Sequence, residues 1–164
     1  MSTRSRGRAE GSKKFRRRVL RWYDRQQREL PWRGQTDPYR ILVSEIMLQQ
    51  TRVAVVKQRY QKFLRRFPTV ERLARAREHS VLAAWSGLGY YRRARALHAA
   101  AKKIVRSGQF PRSSVELSDL PGVGRYTAAA VASIAFREPV PVVDGNVQRV
   151  LRRWLKHNLS VEQC

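Results

Sequence analysis

Little in this chain can ligate a transition metal or cross-link the fold. It has a single cysteine, Cys164 at the last position, so an internal disulfide is excluded and no set of thiolate metal ligands exists. Acidic residues are also scarce, 12 Asp and Glu against 35 Lys and Arg, which leaves a formal net charge of +23. No apolar run approaches the ~20 residues of a membrane span. The N-terminus has no apolar core of a secretion signal, so the expectation is a cytoplasmic, nucleoid-associated protein with no membrane partner. What is present is a 42% hydrophobic fraction in 164 residues, enough for a buried core in one domain or two small interlocked lobes. The positive field would attract a polyanion, nucleic acid first. Arginine outnumbers lysine 28 to 7, a bias that a GC-rich genome also produces on solvated faces, and charge alone leaves both readings open.

Residues 1–14 hold Arg4, Arg6, Arg8, Lys13 and Lys14 among Ser and Gly with no apolar period, and are expected as a disordered basic arm. Phe15, Val19, Trp22, Tyr23 and Gln26 then fall at helical spacing, a helix ending near Leu30-Pro31. Asp37-Pro38 reads as a helix start, an N-cap acid followed by proline in the first turn. Val53, Val56, Tyr60, Phe63, Leu64 and Phe67 form a 3.6-residue stripe that stops at Pro68, and Thr69 caps a shorter helix. Further helices are expected over 80–85, 90–107 with Gly108 as its stop, 113–118, 125–136 and 147–155. Val140 to Val143 could pass for a strand, but no alternating pattern is convincing, and the class is all-α.

Leu120-Pro121-Gly122-Val123-Gly124 sits between two of these helices. Two glycines one residue apart suit positive φ and a close approach by a partner, and Pro121 fixes the entry to the turn. The helix that follows, from Arg125, would present unpaired N–H groups to a phosphate without reading sequence. An ordinary connection between helices has the same look.

Two acids stand out. Glu45 is a carboxyl within Ile41-Leu42-Val43-Ser44-Glu45-Ile46-Met47-Leu48, where burial would raise its pKa and let it hold a proton near neutrality. It could equally face solvent or pair with an arginine. Asp144, in Pro141-Val142-Val143-Asp144-Gly145, could be only a helix cap, a position that keeps a carboxylate ionised. One protonated and one ionised carboxyl is an arrangement for cleaving a glycosidic bond.

LPWR from Leu30, SEIMLQQT from Ser44, FPTV from Phe67, WSGLGYYRRAR from Trp85, LPGVGRYTAAA from Leu120 and VDGNVQRVL from Val143 resemble the MutY-type adenine DNA glycosylases of the helix-hairpin-helix superfamily. The resemblance implies a six-helix lobe over 31–138 with its hairpin at 120–124, and an incomplete second lobe made of the 15–30 helix and a start at 139–164. It implies excision of adenine opposite 8-oxoguanine or guanine in duplex DNA by a monomer, with Glu45 protonating adenine, Asp144 stabilising the sugar cation and Tyr126 beside the acid. Plain core packing is the other reading of Tyr126. By the same resemblance Gln49, Gln50, Thr51, Leu88 and Tyr90 fill the gap left by the flipped base or touch the lesion strand, Arg33 lies beside the adenine pocket, and Gly122, Gly124 and Arg125 meet DNA at the hairpin. Tyr90 could instead be a buried helix-start residue. The carbonyls of Ser118, Leu120 and Val123 could ligate Na⁺, K⁺ or Ca²⁺. Family members continue into a four-cysteine [4Fe–4S] segment whose ligands are absent here, and the resemblance fades from Lys156. A truncated chain is therefore expected, and a binding-only fragment and an endonuclease III-like lyase are the alternatives to an active adenine glycosylase. The lyase needs a lysine where Tyr126 stands.

Overall fold

The structure is a computed structural model that describes residues 3–155, with side chains from residue 11. Among these residues there are nine helices and no strand. Residues 140–143 are an irregular connection. By internal contacts the chain divides into two units, Met1–Leu30 and Pro31–Cys164.

The first unit is one helix, α1, Thr3–Gln26. The disordered arm expected over 1–14 is therefore corrected from Thr3 onward. Arg, Lys, Ala and Glu are good helix formers and no proline intervenes, so the backbone can be helical here without an apolar period. Its apolar residues Val19, Leu20, Trp22 and Tyr23 are exposed.

The second unit carries α2 (Pro38–Leu48), α3 (Val53–Arg66), α4 (Val70–Ala74), α5 (Glu78–Ala84), α6 (Tyr91–Ser107), α7 (Ser114–Ser118), α8 (Arg125–Phe136) and α9 (Gly145–Leu155). The stretch 31–138 thus holds seven helical segments, two of them single turns. Local chemistry sets most boundaries. The Asp37 carboxylate accepts the N–H groups of Tyr39 and Arg40 at 2.9 and 3.2 Å, Thr69 Oγ1 accepts Arg72 N–H, and Ser113 and Glu116 form a reciprocal capping box. Gly108 stops α6 in the left-handed conformation.

The central element is α2, packed against α8, α3 and α6. Every residue from Ile41 to Met47 is buried except Glu45, which is half-buried. A helix that is apolar nearly all round belongs in a core, so the one half-buried position of this run, an acid, marks where the core opens. On the facing helix, Ala128, Ala129, Ala130 and Ala132 are buried, and such small side chains let two backbones approach. Behind them Trp85 is fully buried, with its ring edge-on to Phe63 at 5.7 Å. Glu138 ties the end of α8 to α7 by accepting Ser114 N–H and Oγ–H at 2.6 and 2.9 Å. In contrast, α9 buries none of its residues, and Val147, Val150, Trp154 and Leu155 are exposed.

Candidate active site

The packing of α8 on α2 brings Tyr126, the second residue of α8, beside Glu45, close enough for the phenol and the carboxyl to shift each other's titration. Burial pushes the Glu45 pKa above the ordinary carboxyl value, and the neighbouring phenol only partly opposes it. Glu45 is therefore neither on open solvent nor in an ion pair with an arginine. Tyr126 is 40% exposed, which removes plain core packing as its role. Burial first, then the charges of Glu45 and Asp144, push its pKa up to about 12, so it stays a neutral phenol.

Asp144 is the N-cap of α9. Its Oδ1 accepts Asn146 N–H at 2.9 Å and Val147 N–H at 2.7 Å, and its Oδ2 accepts from the Asn146 side-chain amide at 3.1 Å. Partial burial raises its pKa, but the hydrogen bonds from Val147 and Asn146 outweigh that and hold it below the ordinary value. The two carboxyls are thus tuned in opposite directions, and both raise the pKa of the Tyr126 phenol.

Past the C-terminus of α2 an open groove of about 750 Å³ is lined by Gln49, Gln50, Tyr90, Arg92, Arg93, Ala96 and Gly122. Gln49 donates from its side-chain amide to Thr127 Oγ1 on α8 at 3.2 Å, and Thr51 donates to the carbonyls of Leu88 and Gln49. Gln50 and Tyr90 both have positive φ, 55° and 49°, unusual for residues with side chains. Tyr90 is 63% exposed and not buried at its helix start. Leu88 is 4% exposed and packs in the core, and its backbone carbonyl accepts from Thr51 at the edge of the groove. Arg33 is exposed on the turn at 31–34.

The hairpin is a tight turn in which Val123 N–H donates to the Leu120 carbonyl at 3.1 Å, with proline second and Gly122 third at φ +75°. That is a type II turn, whose third position needs glycine. Gly124 departs from expectation: its φ of −84° is ordinary extended backbone, and it is the N-cap of α8, which receives no side-chain cap. Arg125 is exposed beside it. No group of three or more His, Cys, Asp or Glu suited to a metal occurs among the described residues. Reading the residues in order missed Arg93. It sits among Arg92, Arg95 and other residues of a basic helix face, and nothing local distinguishes it.

A helical lobe in which a glycine turn feeds an uncapped helix, beside two oppositely tuned carboxyls, defines a class before any name is attached. The chain matches the HhH-GPD superfamily of base excision DNA repair proteins over residues 43–161, and it belongs to that superfamily. The match runs past Leu155, beyond where the motif resemblance fades. The chain is 49% identical over 150 residues to an adenine DNA glycosylase of Rattus norvegicus, covering 85% of this chain and 29% of the relative. It is likewise 49% identical over 138 residues to an adenine DNA glycosylase of Mycobacterium tuberculosis (strain ATCC 25618 / H37Rv), covering 82% of this chain and 45% of that one. The solved structure of a thermostable thymine-DNA glycosylase matches with a TM-score of 0.80 at 34% identity, over 85% of this chain and 66% of that one. The chain thus spans less than half the length of these two curated relatives.

Proposed function

We propose that the chain is the catalytic core of a monofunctional DNA glycosylase that removes adenine mispaired with 8-oxoguanine or guanine. The observation that carries the reading is the Glu45–Tyr126–Asp144 set, with a half-buried carboxyl raised in pKa, a capping carboxylate lowered, and a neutral phenol that feels both charges. In a duplex the target base must first be extruded, at a cost of a few kcal/mol in stacking and pairing. Gln50 and Tyr90 at the groove would offset part of that cost. Glu45, protonated, then gives its proton to N7 of adenine, and the C1′–N9 bond breaks with its electron pair leaving on the base. The oxocarbenium-like sugar left behind is stabilised by the fixed charge of Asp144 and captured by water, which loses one proton and leaves a hydroxyl on C1′. Tyr126 holds the Glu45 carboxyl in place. As a phenol it offers no amine for the Schiff base of a lyase, which favours hydrolysis over the endonuclease III-like alternative.

The uncapped first turn of α8 supplies N–H groups for a phosphate, and arginines along the surface supply charge. A [4Fe–4S] cluster does not fit the residues present, because four thiolates are needed and the sequence has only Cys164. A hard cation such as Na⁺, K⁺ or Ca²⁺ fits the carbonyls of Ser118, Leu120 and Val123 by donor type, and would add positive charge beside the phosphate. The Leu120 carbonyl keeps one lone pair after accepting Val123 N–H.

Single-turnover release of adenine from duplexes carrying adenine opposite 8-oxoguanine or guanine tests the reading, with Glu45→Gln alongside. The wild type should be active, and the amide variant should bind duplex but release no adenine. Equal rates would remove Glu45 as the acid. A wild type that binds duplex and never cleaves would favour a binding-only fragment.

A further inference from the structure

Arg93 lies in the first turn of α6, and its guanidinium points inward while Arg92 and Arg95 face solvent. Its Nη1 donates to the carbonyls of Ile46 and Met47, both at 3.0 Å, and to that of Gln49. Its Nη2 donates to Thr51 Oγ1 at 2.9 Å and to the carbonyls of Leu88 and Gly89 at 3.0 and 3.2 Å. Four N–H bonds therefore serve six acceptors on two stretches distant in sequence, the end of α2 with the turn after it and the turn before α6. The guanidinium carbon also lies 5.3 Å from the Tyr90 ring centre and 5.7 Å from that of Trp85.

One set of acceptors closes α2. Ile46 and Met47 are among the last four carbonyls of that helix, which have no partner within it, and α2 has no basic residue in its own last turn. Arg93 brings the cation that this helix end favours from another element. The other set includes Leu88 and Gly89, which immediately precede Tyr90, whose backbone is left-handed, and Gln49 and Thr51, which flank Gln50, also left-handed. Both strained residues line the groove. A strained backbone persists only when its surroundings over-determine it, and here one guanidinium bonds to both neighbours of Gln50 and to the residue before Tyr90.

We propose that Arg93 is a positioning residue for base extrusion, a clamp that holds Gln50 and Tyr90 at the groove while fixing the end of the helix that carries Glu45. The inference rests on the reading of the site as an adenine glycosylase. It also says what Arg93 is not. Its Nη groups are already engaged by protein oxygens, so it is not a phosphate ligand, although it lies in a basic stretch at the groove.

The test compares wild type, Arg93→Met and Arg93→Lys on two substrates: adenine paired opposite 8-oxoguanine, and adenine left unpaired in a single-nucleotide bulge. Single-turnover release from the paired duplex should fall by roughly a hundredfold in Arg93→Met, the scale of a misplaced catalytic constellation. Most of that loss should disappear on the bulged substrate, where extrusion is already done. Fluorescence of 2-aminopurine at the target position should rise less in the variant than in the wild type. The salt dependence of non-target duplex binding should keep its slope, whereas loss of a phosphate-binding arginine would lower the slope by about 1. Arg93→Lys keeps the charge but has three donors in place of the planar fork, and should fall between the two. It carries the comparison if Arg93→Met does not fold. Equal losses on both substrates, or a shallower salt slope, would overturn the assignment while the wild type stays active. If the wild type binds both duplexes and releases adenine from neither, the functional reading fails and this inference falls with it.

Discussion

Replacing Gly122 by alanine tests how the hairpin is held. Two costs can be worked from the structure. At φ +75° an alanine sits in the left-handed region, at about 1–2 kcal/mol. Its Cβ would also stand 2.5 Å from the Cβ of Ala96 on α6, where carbons prefer about 3.5–4.0 Å, and an overlap of that kind typically costs about 1–3 kcal/mol. The total is roughly 2–5 kcal/mol, which at a urea dependence of about 2 kcal/mol per molar moves the midpoint down by about 1–2.5 M. Gly124→Ala is the control, because Gly124 has ordinary extended φ and no atom within 4 Å of a built Cβ. Its effect should stay within about 1 kcal/mol of zero, because the entropy removed from the unfolded chain opposes the poorer N-cap that alanine makes. Adding Ala96→Gly to Gly122→Ala should recover the collision energy, less the ~1 kcal/mol cost of a glycine within a helix, and leave the backbone cost untouched. Urea denaturation of the three single variants and the double variant closes the cycle. Equal losses at Gly122 and Gly124, or strictly additive effects of Gly122→Ala and Ala96→Gly, would refute the reasoning.

Other outcomes follow from the two acids and the core. Because burial raises the Glu45 pKa in the folded chain, the stability associated with its neutral form is complete below the ordinary glutamate pKa and declines as pH rises through the folded value. Glu45→Gln should therefore melt higher than wild type at neutral pH, with the gap closing in acid, as a pH series of thermal melts would reveal. Asp144 has the opposite sign: its contribution is present above the ordinary aspartate pKa and is lost as pH falls through the lowered folded value. Asp144→Asn should be less stable at neutral pH but not in acid, and should slow adenine release far more than duplex binding; an unchanged single-turnover rate would make it a cap alone. Trp85→Ala, at a fully buried position, should cost about 3–5 kcal/mol in urea denaturation.

Much of this was legible because the chemistry is local. Asp37, Thr69, Gly108 and the Ser113–Glu116 box each fix a boundary within four residues of themselves, and the lone acid in the apolar run of α2 advertised a special environment. Other features were decided by contacts no short window contains. Leu88 looks like an exposed turn residue until the turn folds inward over Trp85, and Gly124 looks like a second flexible glycine although only Gly122 meets another helix. Arg93 belongs to the same group: its acceptors are carbonyls, which every residue has, so no pattern of side chains could mark it. The basic N-terminal stretch misled for the opposite reason, since good helix formers can make a helix with no apolar period.

The two carboxyls are anchored unequally. Glu45 stands on the most enclosed helix of the lobe, and Asp144 on one that buries no side chain. An observed rate is the chemical rate multiplied by the fraction of molecules with both groups aligned. On the proposed mechanism that fraction depends chiefly on how α9 is held, while a melting curve reports mainly the core around α2. Thermal stability and catalytic competence then become separate quantities: a variant can keep its midpoint and lose its activity.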